Sequence, residues 1–326
     1  MSLITNLRAY LQRSLTSFTA VGTPARSQSP SGGEPPPKCR YRLDNDSSDT
    51  LTLPDGRNLG CSRLEAAGYD DLGLKLGARI IAADRPGYGW SSSHPDRTLL
   101  DYPKDIEYLA NHLKLDEYSV LGVSGGGPYA LVCAMSLSPD KLKSVSIVCG
   151  LGPPDIGMRG ADFIHWIGFP YGWRYSPAIL LRWFLQRDPA ARLDWSDEKR
   201  FEVLQQQIAS SKATTHKKDL EVTTDEDFLR LFLRSSRESY AQGFDGTLQD
   251  GKVMCTDFAF RIEDIRHDLP IQLWYGKHDT HVPLNHGEQI AARLGGRATF
   301  RVEDETHASI SQHWKSEQLE ALIKSM

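Results

Sequence analysis

Residues 118–130 read YSVLGVSGGGPYA, and this stretch decides the fold. A β-rich run leads to Ser124, and three glycines, a proline and an apolar helix-like stretch follow it. Gly122, Ser124 and Gly126 match the pattern G-x-S-x-G, which is weak alone but here falls between a predicted buried strand and a predicted helix. Gly122 and Gly126 permit a tight turn that lifts the serine hydroxyl off the sheet, and the backbone N–H of Gly125 would point at a developing oxyanion. The pattern therefore predicts that Ser124 is a nucleophile.

The alternative interpretation of these glycines is an ordinary strand-to-helix turn, or one that binds phosphate. A dinucleotide fingerprint needs G-x-G-x-x-G near the first strand, and a P-loop needs Gly-Lys followed by Ser or Thr. The sequence contains neither pattern, so the nucleophile interpretation is favoured.

A serine hydroxyl at neutral pH is a poor nucleophile and needs a base, which an acid must orient. The predicted strand 271–275 ends in a loop that contains Asp279, and the predicted strand 298–303 ends near His307. Both residues fit the chain order Ser, Asp, His and the loop positions that such sites use. Either residue alone is equally consistent with an ordinary surface loop, but the three positions together predict a catalytic set.

Three further histidines, His278, His281 and His286, flank Asp279 in the sequence. Their spacing is not that of a helical H-E-x-x-H zinc site, so no metal is predicted, and no organic cofactor is implied. The five cysteines are scattered, without the spacing of a zinc site or a disulfide framework. This cysteine usage favours a reduced, intracellular compartment.

The composition is that of an ordinary globular protein, with 326 residues, of which 25% are charged and 40% hydrophobic. The formal net charge of −4 argues against nucleic acid or an anionic membrane as the main partner. No apolar run approaches the ~18 residues needed to span a bilayer. The composition does not fix the oligomeric state.

The first 33 residues stand apart, because they contain three arginines and no acidic residue. Apolar residues at steps of three and four from Ile4 to Phe18 would form one face of a helix, and this composition matches a mitochondrial transit peptide. The alternative is a disordered tail, with a Pro-, Ser- and Gly-rich linker over residues 24–38. We expect residues 1–40 not to pack on the folded domain. We expect the protein to be cytoplasmic, with mitochondrial import as the alternative.

Beyond the linker, short apolar runs alternate with amphipathic segments, which indicates an α/β fold with a doubly wound, mostly parallel sheet. Strands are predicted over 78–84, 118–123, 143–150, 269–276 and 298–304, and two short ones around the Pro-Asp-Gly turn within 50–61. Helices are predicted over 63–76, 102–114 and 128–137. Residues 49–150 and 263–326 are assigned to the two parts of the core, and residues 151–262 to an inserted helical cap.

The predicted insertion is rich in aromatic residues. They form either the core of a helical subdomain or the roof of an apolar substrate pocket, and both can hold at once. The aromatics concerned are Trp166, Phe169, Tyr171, Trp173, Tyr175, Trp183, Phe184, Phe228 and Phe232.

The sequence resembles the α/β-hydrolases that have a serine nucleophile and a helical cap, over about residues 50–325. Four segments carry the resemblance: DRPGYGWS (84–91), GVSGGGPYAL (122–131), WYGKHDTHVP (274–283) and THASI (306–310). The resemblance implies that Asp279 and His307 are the acid and the histidine of the family. Members are mostly esterases, lipases, amidases and related hydrolases. Epoxide hydrolases and dehalogenases use an aspartate nucleophile, and Ser124 argues against them.

One part of the family pattern is missing. Relatives have a central third strand that ends in His-Gly, and the loop after it supplies the other oxyanion N–H. Here the only His-Gly pair lies far downstream, and Cys61 is followed at once by a segment that resembles the one after that loop. Without this strand, we expect the strands 78–84 and 118–123 either to pair directly or to leave buried backbone groups without partners. The loss of one oxyanion donor costs on the order of 100- to 1000-fold in rate.

The resulting expectation is a serine hydrolase that acts on small apolar esters or related acyl substrates through Ser124, His307 and Asp279. The alternative is a catalytically impaired or non-catalytic protein of the same fold that binds an apolar ligand. Such a protein would arise from a splice variant, an incorrect gene model or a degenerate copy.

Overall fold

The computed structural model of the protein describes residues 18–22, 49–61 and 67–326. It has eight strands in the described ranges: β1 Phe18–Gly22, β2 Asp49–Thr52, β3 Asn58–Cys61, β4 Arg79–Ala82, β5 Tyr118–Val123, β6 Leu142–Val148, β7 Ile271–Gly276 and β8 Thr299–Glu303. Six of them form one sheet in the order β4-β1-β5-β6-β7-β8, while β2 and β3 form a hairpin around the predicted Pro-Asp-Gly turn. An antiparallel bridge between Cys61 and Ala83 joins the hairpin to the chain after β4.

Strands β5 to β8 pair in parallel, and the helices connect them. The α-helices of five or more residues are α1 Ala67–Leu76, α2 Tyr102–His112, α3 Gly127–Ser136, α4 Phe163–Ile167, α5 Ala178–Leu185, α6 Asp197–Ser211, α7 Lys217–Thr223, α8 Glu226–Ser239, α9 Asp245–Met254, α10 Leu284–Arg293, α11 His307–His313 and α12 Lys315–Lys324. Within the described part of the chain, no helix is long and apolar enough to cross a membrane.

The sheet is covered on both faces, because alternate residues of each strand point to opposite sides. Val120 of β5 and Leu273 of β7 belong to an apolar cluster with α2, α3 and α10. Their neighbours Leu121 and Trp274 belong to a second cluster with α12 and, at its margin, α1. The predicted doubly wound α/β fold is thereby confirmed, and the predicted strands after residue 77 are present with ends shifted by at most two residues.

Strand β1 comes from the segment that we expected to be an unpacked tail. It lies between β4 and β5 and runs antiparallel to both, with Ala20 opposite Ile81 on one side and Val120 on the other. The prediction for residues 1–40 is therefore wrong for Phe18–Gly22, and so is the helical assignment of Phe18. The remaining residues of the predicted transit peptide, tail and linker lie outside the described residues.

The position of β1 also corrects the expectation that β4 and β5 would either pair directly or leave backbone groups without partners. Strands β4 and β5 would otherwise leave buried N–H and C=O groups without partners, at a cost of roughly 1–3 kcal/mol each. The short run FTAVG contains two β-branched residues and can donate and accept on both edges. The position that the resemblance assigns to a central third strand is thus filled by an antiparallel strand from another part of the chain.

Between β6 and β7 the chain forms helices α4 to α9 and no strand, which is the helical content predicted for residues 151–262. Eight of the nine aromatics named above divide into three groups, and the ninth, Phe184, is half-buried. Phe169 and Trp173 are buried in the main core, and Phe228 and Phe232 pack against a separate cluster formed by α6 and α8. Four others are exposed: Trp166, Tyr171, Tyr175 and Trp183.

Candidate active site

Ser124 lies in a sharp turn between β5 and α3. Its φ is +54°, in the left-handed region that non-glycine residues rarely occupy, and such backbone strain is concentrated at functional sites. The turn Ser124–Gly126 is a single 3₁₀ turn that leads directly into α3. The N–H of Leu151, just beyond β6, donates to the carbonyl of Ser124 at 3.0 Å. The strand-to-helix turn predicted from the sequence is therefore present and is fixed to the neighbouring strand.

Close packing explains one glycine on each side of this turn. A Cβ added to Gly122 would lie 2.5 Å from the carbonyl oxygen of Gly126 and 2.7 Å from Cβ of Ala130. A Cβ on Gly127 would lie 2.7 Å from Cα of Gly150. The steric requirement at Gly122 agrees with the prediction, whereas that at Gly127 depends on a distant loop and was not predicted.

The structure brings the three predicted residues into one hydrogen-bonded row. His307 Nε2 lies 2.8 Å from Ser124 Oγ, and His307 Nδ1 lies 2.7 Å from Asp279 Oδ2. The other oxygen of Asp279 accepts the backbone N–H groups of His281 at 2.8 Å and Val282 at 2.9 Å. All three members of the row are buried. The carboxylate is thus held by the loop after β7, and the imidazole by the first turn of α11.

The electrostatics of the row favour a basic imidazole. Burial alone lowers the pKa of His307, but the charge of Asp279 and the hydrogen bond to it outweigh burial, so the pKa is raised well above 6.5. Cys149, behind the imidazole, donates from Sγ to the carbonyl of His307 at 3.8 Å. Burial raises the pKa of the Cys149 thiol, so it remains protonated at neutral pH.

The three histidines near Asp279 in sequence have different surroundings. His278 is exposed and lies 2.7 Å from a carboxylate oxygen of Asp304. His286 is buried and accepts the N–H of Gly152 at 3.0 Å, and burial lowers its pKa to about 4. His281 lies beside the hydrogen-bonded row, with its ring centroid 4.8 Å from that of His307.

A second acid–imidazole pair stacks on His281. His165 Nδ1 lies 2.8 Å from an oxygen of Asp162, and the rings of His165 and His281 stack at 4.5 Å with an interplanar angle of 17°. Ligand atoms of Asp162, His165 and His281 lie within 4.8 Å of one another. Because the rings are stacked nearly parallel, their nitrogens do not converge on one ion as in a zinc site. The two stacked histidines are 116 positions apart in the sequence, so their contact could not be predicted from sequence spacing.

A buried ion-pair group connects the turn to α9. The carboxylate of Asp250, which is fully buried, pairs with Arg97 and lies 3.1 Å from Nε of Arg85, and it accepts the hydroxyl of Tyr129 at 2.7 Å. Arg85 also reaches the carbonyl of Gly125 at 3.5 Å. The segment containing Arg85 was recognised as typical of the family, but its partner Asp250 was not predicted.

The direction of β1 bears on the predicted oxyanion site. Phe18, the first residue of β1, lies opposite Gly122, and Gly22, the last, lies opposite Tyr118. The carboxyl end of β1 therefore lies at the end of the sheet opposite to Ser124. A parallel strand in this position would instead deliver its following loop to the edge that carries Ser124.

Comparison with known proteins identifies the family to which this fold belongs. The model of the family described as "alpha/beta hydrolase fold" matches residues 64–313. An uncharacterized hydrolase, YcgS, of Bacillus subtilis is 30% identical over 83 residues, which are 26% of this chain and 28% of that protein. A proline iminopeptidase of Lactobacillus helveticus is 36% identical over 80 residues, 23% of this chain and 27% of that protein. The matches thus span about a quarter of each curated relative.

Among solved structures, an esterase from Exiguobacterium antarcticum superimposes with a TM-score of 0.55 at 16% identity. The superposition covers 85% of this chain and 98% of the esterase. At this identity the likeness concerns the fold.

Proposed function

This chain belongs to the α/β-hydrolase fold family, and on that premise we propose that it is a serine hydrolase acting on carboxylic esters or related acyl substrates. The observation that carries the proposal is the buried row of Ser124, His307 and Asp279, with contacts of 2.8 and 2.7 Å. This is the arrangement of a nucleophile, a general base and an orienting acid.

In the proposed reaction, Ser124 Oγ attacks the carbonyl carbon while its proton passes to His307 Nε2. Asp279 holds the other ring nitrogen and stabilises the imidazolium. The N–H of Gly125 donates to the oxyanion of the tetrahedral intermediate. His307 then gives its proton to the leaving alcohol or amine, which leaves an acyl group on Ser124. Water attacks the acyl-enzyme with His307 as base, and the acid product departs.

Local geometry and the relatives support this assignment. The strained φ of Ser124 is typical of a nucleophile held at the top of such a turn. The raised pKa of His307 suits proton abstraction from a hydroxyl. The names esterase and proline iminopeptidase, borne by two relatives, both describe acyl transfer to water. Helices α4 to α9 would serve as the cap over an apolar substrate.

A second candidate, an impaired hydrolase or a ligand-binding protein, is favoured by the direction of β1. The loop after a parallel third strand would supply a second oxyanion donor, and here no strand delivers such a loop to that edge among the described residues. With one donor fewer, turnover would be on the order of 100- to 1000-fold slower. Such a protein would still be labelled at Ser124 by an activated phosphonate.

The test combines labelling and turnover in the full chain and in Ser124→Ala. We expect a fluorophosphonate to add to Ser124 alone, as read by intact mass and peptide mapping, and ester hydrolysis to be lost in the variant. The matched control is Ser146→Ala, because Ser146 is also fully buried. The control should keep both labelling and activity.

The pH profile adds a second measurement. Because the base must be unprotonated, kcat/KM should rise with pH along a limb whose midpoint lies above 6.5, in the direction of the raised pKa of His307. Labelling without measurable turnover would favour the impaired hydrolase. Full activity in Ser124→Ala would refute both the active and the impaired serine hydrolase, because each depends on Ser124 as the nucleophile.

A further inference from the structure

The segment 163–183 concentrates the exposed apolar surface of the protein. Of the twelve large apolar side chains that are exposed in the described part of the chain, eight lie in this segment. Ile179 is 78% exposed, Tyr175 67% and Phe163 62%. We call the eight the outer apolar face: Phe163, Trp166, Ile167, Tyr171, Tyr175, Ile179, Leu180 and Trp183.

Helix α5 shows that much of this face is left uncovered by residues 18–22, 49–61 and 67–326, the parts of the chain that the structure describes. Its sequence is AILLRWFL, which is apolar almost all round. Leu185 is buried and Leu181 packs against the main core, whereas Ile179, Leu180 and Trp183 are exposed. A helix that is apolar all round is normally buried on every side. An apolar surface left open on this scale marks a site of interaction.

The residue types in the outer apolar face favour a lipid surface. Four of its eight members are Trp or Tyr, the residues that concentrate where a membrane meets water. Aliphatic side chains from α4 and α5 stand between them, as in helices that lie in the plane of an interface.

The local charge differs from that of the whole chain. Residues 163–187 contain three arginines and no acidic residue, although the chain has a net charge of −4. The guanidinium of Arg187 lies 3.4 Å from the centre of the Trp183 ring, and that of Arg174 lies 5.2 Å from the centre of the Tyr175 ring. The third, Arg182, pairs with an aspartate of α9. Arginines at the level of interfacial aromatics suit anionic lipid phosphates. A second copy of the same face would instead place like charges together.

We propose that residues 163–187 form a docking surface for an anionic phospholipid bilayer. The aromatic and aliphatic side chains enter the boundary between headgroups and acyl chains, and Arg174 and Arg187 meet lipid phosphates. The net charge of the whole chain argued against an anionic membrane as the main partner. That total does not report the local positive charge of this surface.

Helix α4 would bring the bilayer close to the proposed catalytic row. Its outer side carries Phe163, Trp166 and Ile167, while His165 on its inner side stacks on His281. The N–H of Asp162, which caps the helix, donates to the carbonyl of Thr280 at 2.9 Å. Docking is nevertheless independent of catalysis and is measured without turnover.

The experiment is sedimentation of the full chain with vesicles of phosphatidylcholine, with and without phosphatidylserine. We expect stronger binding to the vesicles with phosphatidylserine and weaker binding as salt is raised. The double variant Ile179→Ser/Trp183→Ser should lower the partition coefficient of the protein onto anionic vesicles by about 10-fold or more, because two apolar side chains no longer enter the bilayer interface. Arg174→Gln should weaken binding to anionic vesicles by about 5-fold and leave binding to neutral ones unchanged.

The matched control is Tyr108→Ser/Met135→Ser, which removes two exposed apolar side chains outside the segment. It should bind as the parent does, and thermal unfolding checks that all variants are folded. The proposal is overturned if the parent does not sediment with anionic vesicles, or if the control loses as much binding as the double variant. It is also overturned if light scattering shows a dimer that Ile179→Ser/Trp183→Ser dissociates while vesicles are not bound.

Discussion

Removal of β1 should destabilise the protein severely, although β1 is only five residues long. The strand pairs with β4 through four residue pairs and with β5 through five. An antiparallel ladder has on average one hydrogen bond for each residue pair, and each contributes about 1 kcal/mol net. The ladder is thus worth on the order of 5–10 kcal/mol, comparable to a typical total stability of about 5–15 kcal/mol.

The assay is denaturant unfolding of two truncated chains, followed by tryptophan fluorescence. Deletion of residues 1–17 leaves β1 in place and serves as the control, whereas deletion of residues 1–23 removes it. We expect a cooperative transition near the parental midpoint for the first and a much lower midpoint, or none, for the second. A synthetic peptide of residues 1–23 should restore folding when added to the shorter chain, as an added strand does at an open sheet edge.

A point substitution tests the same strand without truncation. Ala20→Pro removes a backbone donor from the centre of β1 and should cost about 3 kcal/mol or more. Ala20→Gly keeps the donor and should cost about 0.5–1 kcal/mol. If deletion of residues 1–23 and Ala20→Pro both leave the unfolding free energy within about 0.5 kcal/mol of their controls, the placement of β1 in the sheet is refuted.

Two further predictions concern buried ionisable groups. Asp250→Asn leaves two buried arginines without a carboxylate and should lower the unfolding free energy by about 3–5 kcal/mol. Asp245→Asn, on the same helix, removes an ion pair whose carboxylate is 74% exposed, and it should lower the unfolding free energy by under about 1 kcal/mol. Equal decreases for the two variants in a urea titration would contradict the argument. His286 has a pKa of about 4 when folded and an ordinary value near 6.5 when unfolded, so the unfolded chain binds its proton first as the pH falls. Between pH 7 and pH 4 the unfolding free energy of the parent should fall by about 3 kcal/mol more than that of His286→Gln. If the unfolding free energies of the two proteins fall in parallel with pH, protonation of His286 does not cause the loss of stability.

The local features of the site were predictable from the sequence because short-range sterics determine them. A serine between glycines, after an apolar run and before a helix, has few conformations available, and the structure has the predicted turn. The loops after β7 and β8 follow from chain order in a parallel sheet, whose strand ends meet at one edge. Asp279 and His307 could therefore be predicted to lie near Ser124 without knowing any contact between them.

The sequence also indicated that a third strand was missing, but not what replaces it. FTAVG has no pattern that distinguishes a sheet strand from the end of an amphipathic helix, and its partners lie 57 or more residues away. Only the tertiary structure could decide this, because the unsatisfied hydrogen-bonding groups of β4 and β5 exist only once the sheet is formed.

The same reason applies to the ion pairs of Asp250 and to the stacking of His165 on His281. Each joins residues more than 100 positions apart, and each depends on how the helices between β6 and β7 lie against the sheet. The aromatics of residues 163–183 were visible in the sequence, but which of them are buried depends on packing, and the structure leaves one face open. Local conformation and the succession of strands and helices from Arg79 onward were thus determined by the sequence alone. Pairing between distant residues and exposure to solvent were decided by the tertiary structure, because both depend on which surfaces meet when the chain folds.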